Sequence, residues 1–260
     1  MTLFGALSDL RSRPIGEQAS LRAAKAGFRT VPIARSNTYY LEEMVDVRDL
    51  GIAGENYYHS VRNPPYWRRI AGAVPDLLVR ASVGEKLVRI NARLGEAGLE
   101  LFLFDAWRPR AVQTYFHDVW MPAEILRRQP ALRGAALREE IERYWAAPSI
   151  DGASPAPHAT GAAVDLTIRW AGSDPLWMGS IFDDATALAH RDRFESLSDD
   201  VLSFSDEEAR ANRRLLHWIM AAEGFAGHPD EWWHFSWGDQ LWAKLTGEPN
   251  AHYSLAPEPI

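Results

Sequence analysis

One pattern occurs twice in the chain and restricts the folds open to it: a capped amphipathic helix, a glycine stop and then a short apolar strand. Ser82 and Glu85 have capping-box spacing, and Leu87, Ile90, Leu94 and Ala97 follow at intervals of three or four. Gly98 stands where a helix-ending glycine belongs, and Leu99 to Trp107 reads as a buried strand that stops at Arg108-Pro109. The second copy pairs Ser205 with Glu208 and buries Leu215, Leu216, Ile219 and Met220. Gly224 closes it, and a strand from Trp232 to Trp237 follows. Between the copies, residues 162–168 alternate. Val164, Leu166 and Ile168 point to a core, which turns Asp165 to the opposite face. Helices and strands without strict alternation predict an α+β fold, with a mainly antiparallel central sheet flanked by helices.

The remaining segments are read as additions to a single domain spanning residues 1–260. Residues 1–35 form an N-terminal extension, either an arm or a short helix. Residues 118–150 form a helical insertion or lid, with breaks at Pro130 and Gly134, and a Pro-, Ser- and Gly-rich loop runs from Ala147 to Pro157. With 47% hydrophobic residues the chain can build a substantial core. A net charge of −7 argues against a nucleic-acid partner. No stretch approaches the roughly 20 apolar residues of a membrane span, and the N-terminus lacks the apolar core of a signal peptide. The expectation is a cytoplasmic protein with no membrane partner. There is no cysteine, so a metal site would have to use His, Asp and Glu.

Two blocks concentrate such residues: His158-Ala-Thr-Gly161-Ala-Ala-Val-Asp165 and Glu231-Trp-Trp-His234. Two imidazoles and one carboxylate, from His158, Asp165 and His234, would hold a metal and leave a position open. Gly161 would allow the turn that brings His158 and Asp165 to one point. Glu231, in the loop entering the last strand, would sit near the metal without binding it, where a general base is needed. Arg108, at a strand end, could stabilise an oxyanion. Plainer readings stand beside these. A tryptophan-rich strand is usually core, and Arg108 before Pro109 could close a surface ion pair.

Taken in order, the blocks resemble the zinc D,D-peptidase superfamily, specifically the D-alanyl-D-alanine dipeptidases of the vancomycin-resistance type. That pattern is Ser-x-His-x-x-Gly-x-Ala-x-Asp followed by Glu-x-Trp-His. His158, Gly161, Ala163 and Asp165 match its first part, and Glu231, Trp233 and His234 its second. Asp105-Ala-Trp-Arg108-Pro109, Met178-Gly179-Ser-Ile-Phe182-Asp183 and Asn212-Arg213-Arg214-Leu215 resemble three further family segments. The resemblance implies one catalytic zinc ion on His158, Asp165 and His234, placed on one face of the sheet. It implies Glu231 as base and proton donor and Arg108 as oxyanion stabiliser. It makes Asp183 and Trp233 the substrate-binding candidates, Asp183 for the free ammonium of a small dipeptide such as D-Ala-D-Ala. Two alternatives remain, a D,D-carboxypeptidase or endopeptidase on longer cell-wall peptides and a non-catalytic, metal-stabilised peptide-binding protein. The chain departs from the family at Ala156, where a Ser is usual, and at Asp49, where a Tyr near the substrate amine is expected. These departures leave the exact dipeptide open.

Overall fold

A computed structural model describes residues 4–16, 18–149 and 151–258. Residues 1–3 and 17 of the expected N-terminal extension, residue 150 of the expected insertion and loop, and residues 259–260 lie outside the described residues.

The chain enters through helices α1 (Ser8–Ser12) and α2 (Ala19–Lys25), so the expected arm or short helix is two short helices. Strand β1 (Met44–Asp46) and the two-residue β2 (Ala53–Gly54) follow. Strand β3 (Leu78–Arg80) then runs straight into helix α3 (Ala81–Gly95). Val83, Leu87, Ile90 and Leu94 are all buried, forming the single apolar face that their spacing predicts. The expected capping box at Ser82 does not form. The helix begins at Ala81, whose N–H donates to Glu43 O at 3.1 Å, and the Ser82 hydroxyl bonds the Glu42 carboxylate instead. With no extended residue between β3 and Ser82, Ser82 cannot act as a cap. Gly98, at φ +72°, turns the chain into strand β4 (Leu99–Asp105).

Helix α4 (Arg110–Tyr115), a wide turn at Phe116–Trp120, α5 (Met121–Arg128) and α6 (Gly134–Tyr144) come next. The chain leaves the helices for Pro130 and re-enters at Gly134. Strand β5 (Ala163–Trp170) overlaps the expected strand. Helix α7 (Phe204–Ala222) is capped two residues earlier than expected. Ser203, not Ser205, is extended, and it exchanges bonds with Asp206, each at 3.2 Å. Strand β6 (Ala226–Gly227) and strand β7 (His234–Ser236) follow. β7 is shorter than expected because Trp232 lies in the preceding turn, where its N–H donates to Ala189 O. Helix α8 (Gln240–Thr246) ends the regular structure.

The main sheet has the order β2-β4-β5-β7-β6, and β1 pairs separately with β3. The fold is α+β, but the expectation of a mainly antiparallel central sheet is corrected: the sheet is mixed. β2 lies parallel to β4, while β4–β5, β5–β7 and β6–β7 are antiparallel. The chain reaches β4 from β2 through β3 and α3, and a crossover of that length delivers a parallel neighbour. Val164, Leu166 and Ile168 are fully buried on the core face. No helix among the described residues is long and apolar enough to cross a membrane.

Candidate metal and catalytic site

Strand register assembles the site. Asp165 of β5 lies opposite His234 of β7 on one side and Asp105 of β4 on the other. Directly paired residues share a face, so these three side chains form a row across the sheet. The pairing of Asp105 depends on an irregularity. Leu103 pairs with Leu166 and Asp105 with Asp165, so β4 carries one extra residue there. Without that bulge the strict alternation would pair Asp105 with the core-facing Val164.

His158 reaches the row from outside the sheet. It lies in a 3₁₀ turn, Pro157–Thr160, that Gly161 ends at φ +74°. This is the turn that the seven-residue offset from Asp165 requires. His158 Nε2 is 3.1 Å from His234 Nδ1 and 3.3 Å from Asp165 Oδ2, and His234 Nδ1 is 3.1 Å from Asp165 Oδ1. All three residues are buried, and one donor atom from each lies within 4.8 Å of the others. His158 Nδ1 is 2.8 Å from Ala106 O and 3.3 Å from Asp105 Oδ2. The Ala106 carbonyl can only accept, so Nδ1 carries the ring proton and Nε2 presents its lone pair. Ser236 Oγ, 3.2 Å from His234 Nε2, can accept the other ring's proton and free Nδ1. Burial works against ionising Asp165, yet His158 and His234 hold its carboxylate well below the usual range. Two bare imidazole nitrogens and a carboxylate aimed at one point fit a divalent cation, in a set suited to zinc though not exclusive to it.

Arg108 does not close a surface ion pair; it is 5% exposed. Nε donates to Asp105 Oδ2 at 2.8 Å, Nη1 to Gln113 Oε1 at 3.0 Å and Nη2 to Asp165 Oδ2 at 3.0 Å. Its guanidinium carbon lies 4.5 Å from the Trp145 ring centroid and 4.9 Å from that of Tyr58. Burial opposes its charge, but Tyr58 and the surrounding carboxylates hold its pKa above the ordinary value. Burial pushes Asp105 up to about 6, against the pull of Arg108.

Glu231 sits in the turn before β7. Its Oε2 is 3.7 Å from His234 Nδ1, close to the ligand cluster but not bonded to it. Burial and the neighbouring Asp165 push its pKa well above the usual carboxylate range. Asp183 accepts hydrogen bonds from the hydroxyls of Tyr58 and Tyr66, both at 2.8 Å. Burial and Asp165 push its pKa up to about 7. Arg213 fixes this segment by donating to the carbonyls of Met178, Leu188 and His190, and Asn212 donates to Trp177 O.

A cavity of ≈ 360 Å³ is lined by His158, Asp165, His234, Glu231, Arg108 and Asp183. The sequence-derived candidates therefore meet in one place, with one exception. Trp233 does not line this cavity. It is buried edge-on against Phe182, with centroids 5.5 Å apart, and borders only a small adjoining pocket beside Asp183 and Glu231. Asp49 is an exposed turn residue, and the tyrosines beside the candidate amine-binding carboxylate are Tyr58 and Tyr66. Sequence reasoning missed both tyrosines, along with Lys25, Asp230 and His228, which also border the cavity. Periodicity carries no signal for them, because they lie in loops or at a helix end.

Comparison with known proteins follows the same lines. The family model described as D-ala-D-ala dipeptidase matches residues 68–252. A D-alanyl-D-alanine dipeptidase of Synechocystis sp. is 37% identical over 178 residues, covering 64% of this chain and 71% of that protein. A D-alanyl-D-alanine dipeptidase of Enterococcus faecium is 28% identical over 175 residues, covering 66% of this chain and 76% of that protein. The solved structure of VanYB in complex with D-Alanine-D-Alanine aligns with a TM-score of 0.41 at 13% identity, over 86% of this chain and 93% of that chain.

Proposed function

Because this chain belongs to the D-Ala-D-Ala dipeptidase family of peptidases, we propose that it hydrolyses D-Ala-D-Ala or a closely related small dipeptide, using one zinc ion held by His158, Asp165 and His234. The observation that carries this reading is the convergence of those three donors beside Glu231 in a buried cavity. When bound, zinc supplies Lewis acidity to the scissile carbonyl and makes a water easier to deprotonate.

The rest of the chemistry belongs to the chain's own groups. Glu231 takes a proton from the attacking water and passes it to the leaving amine. Its raised affinity for protons suits both halves of that task. Arg108 donates to the oxygen that becomes negative, and its bonds to Asp105 and Gln113 fix its direction before substrate arrives. Asp183 receives the substrate ammonium, with Tyr58 and Tyr66 holding its carboxylate in place. Trp145 and Tyr144, at the end of the inserted segment, line the cavity, which supports a lid role for residues 118–149. That favours a dipeptide over the longer cell-wall peptides of the alternative reading. A peptide-binding protein without turnover would have no use for a buried Glu231 beside the candidate ligand cluster.

The test is to incubate zinc-loaded protein with D-Ala-D-Ala and with L-Ala-L-Ala and to assay free alanine, with Glu231→Ala as control. Release from the D,D compound alone, lost in the variant, is expected. Equal release by the variant, or none by the wild type, would sink the proposal.

A further inference from the structure

We propose that the N-terminal segment around α2 is a specificity-determining wall of the site, latched by Lys25, that restricts the substrate to dipeptides; this rests on the dipeptidase reading above. Lys25 Nζ donates to Asp230 Oδ2 at 2.6 Å and to Arg143 O at 2.7 Å, and lies 3.1 Å from His228 Nε2. Three residues earlier on the same helix, Arg22 Nε donates to Asp230 Oδ1 at 2.8 Å. Both oxygens of Asp230 are thus held by cations of one helix, and Asp230 immediately precedes Glu231. Lys25 also joins that turn to the end of α6, so a single ammonium ties the extension, the inserted helices and the loop of the proposed base.

Gly27, at φ +71°, then reverses the chain and brings Phe28 to the cavity. Arg29 fastens the next stretch, donating to Ser154 O at 2.7 Å and to Ala147 O, on the loop that leads to His158. Lys25 and Phe28 line the cavity itself, together with Glu231 and Trp145. The segment is therefore part of the wall and not merely packed behind it. It lies wholly outside residues 68–252, the span that the family model matches. A lysine whose side chain is 15% exposed, with its donors directed to the 228–230 turn and the end of α6, is costly to bury unless it is paired. The pairing holds the wall shut. Lys25 is accordingly a positioning residue, acting through the wall and the Glu231 turn.

The experiment compares kcat/KM for D-Ala-D-Ala with kcat/KM for Nα-acetyl-Lys-D-Ala-D-Ala, in wild type and Lys25→Ala. Thermal unfolding and zinc content are checked in parallel. The expected result is a shift of about tenfold or more in that ratio toward the longer peptide, the scale at which a pocket contact discriminates. An unchanged ratio in a folded, zinc-containing variant overturns the wall. If Lys25→Ala does not fold, Ala26→Trp tests the same wall from an exposed cavity position. There an increase of about tenfold in KM for D-Ala-D-Ala is expected, and an unchanged KM overturns the inference. A wild type that leaves D-Ala-D-Ala intact removes the dipeptidase reading and the wall with it. An active wild type with unmoved variants removes the wall alone.

Discussion

Asp183 holds its carboxylate between two tyrosine hydroxyls, in a backbone conformation (φ +57°) that non-glycine residues seldom adopt. Burial raises its pKa from 3.8 to about 7, with a further push from Asp165. The folded pKa lies above the unfolded one. The stability that Asp183 contributes is therefore fully present below about pH 4 and is lost as pH rises through about 7. The loss amounts to a few kcal/mol, roughly 5–10 °C in a chain of this size. Asp183→Asn cannot ionise. In metal-free protein its unfolding temperature is expected to exceed that of wild type by that margin at pH 8, with the gap closing near pH 4. In metal-loaded protein the same variant should raise KM for a free dipeptide, because the ammonium loses its counter-charge. Parallel stability curves from pH 4 to pH 8 would disprove the buried, proton-sensitive role.

The turn at Gly161 does at the level of an element what Asp183 does at a single residue: it spends an unusual backbone conformation on aiming a functional group. A Cβ at Gly161 would lie 2.4 Å from Met44 Cε, and φ +74° is strained for any L side chain. Methionine can move aside, so the backbone strain of about 1–2 kcal/mol dominates. Gly161→Ala should destabilise the protein by that amount and weaken zinc binding, since the same turn carries His158. Competition with a chromophoric chelator measures the second effect, and unchanged affinity would separate the turn from the ligand. This element was legible in sequence, because a seven-residue offset cannot bring two ligands together without a turn and glycine permits one. The β5 face was legible too, from alternation alone. The bulge before Asp105 was not, since an extra residue in a strand of apolar side chains leaves no periodic trace. Nor was the parallel pairing of β2, which is only two residues long. The caps failed differently. Ser82 and Ser205 have the right spacing, but a cap also needs an extended backbone, and that depends on the segment before it.

Across the whole molecule, the site is made from pieces that are distant in sequence: a turn at His158, strands β5 and β7, a bulge on β4, a loop at Asp183 and the N-terminal helix α2. Motif blocks in the sequence picked out the three candidate donors and the proposed base, because chemistry restricts which residue types can serve there. They could not reveal Tyr58, Tyr66 or Lys25, whose importance comes from where packing puts them. The same dispersal makes metal binding a stability term. His158, Asp165 and His234 meet only in the folded chain, so an ion held by them stabilises the folded state by RT ln(1 + [L]/Kd), about 4 kcal/mol at a thousandfold excess over Kd. Removing zinc with a chelator should therefore lower the unfolding temperature by roughly 10 °C. Restoring zinc should recover it in wild type and in Glu231→Ala, which keeps all three ligands, but not in His234→Ala. Recovery in His234→Ala would place the ion elsewhere. Failure to recover in Glu231→Ala would make that carboxylate part of the metal's hold and not the base beside it.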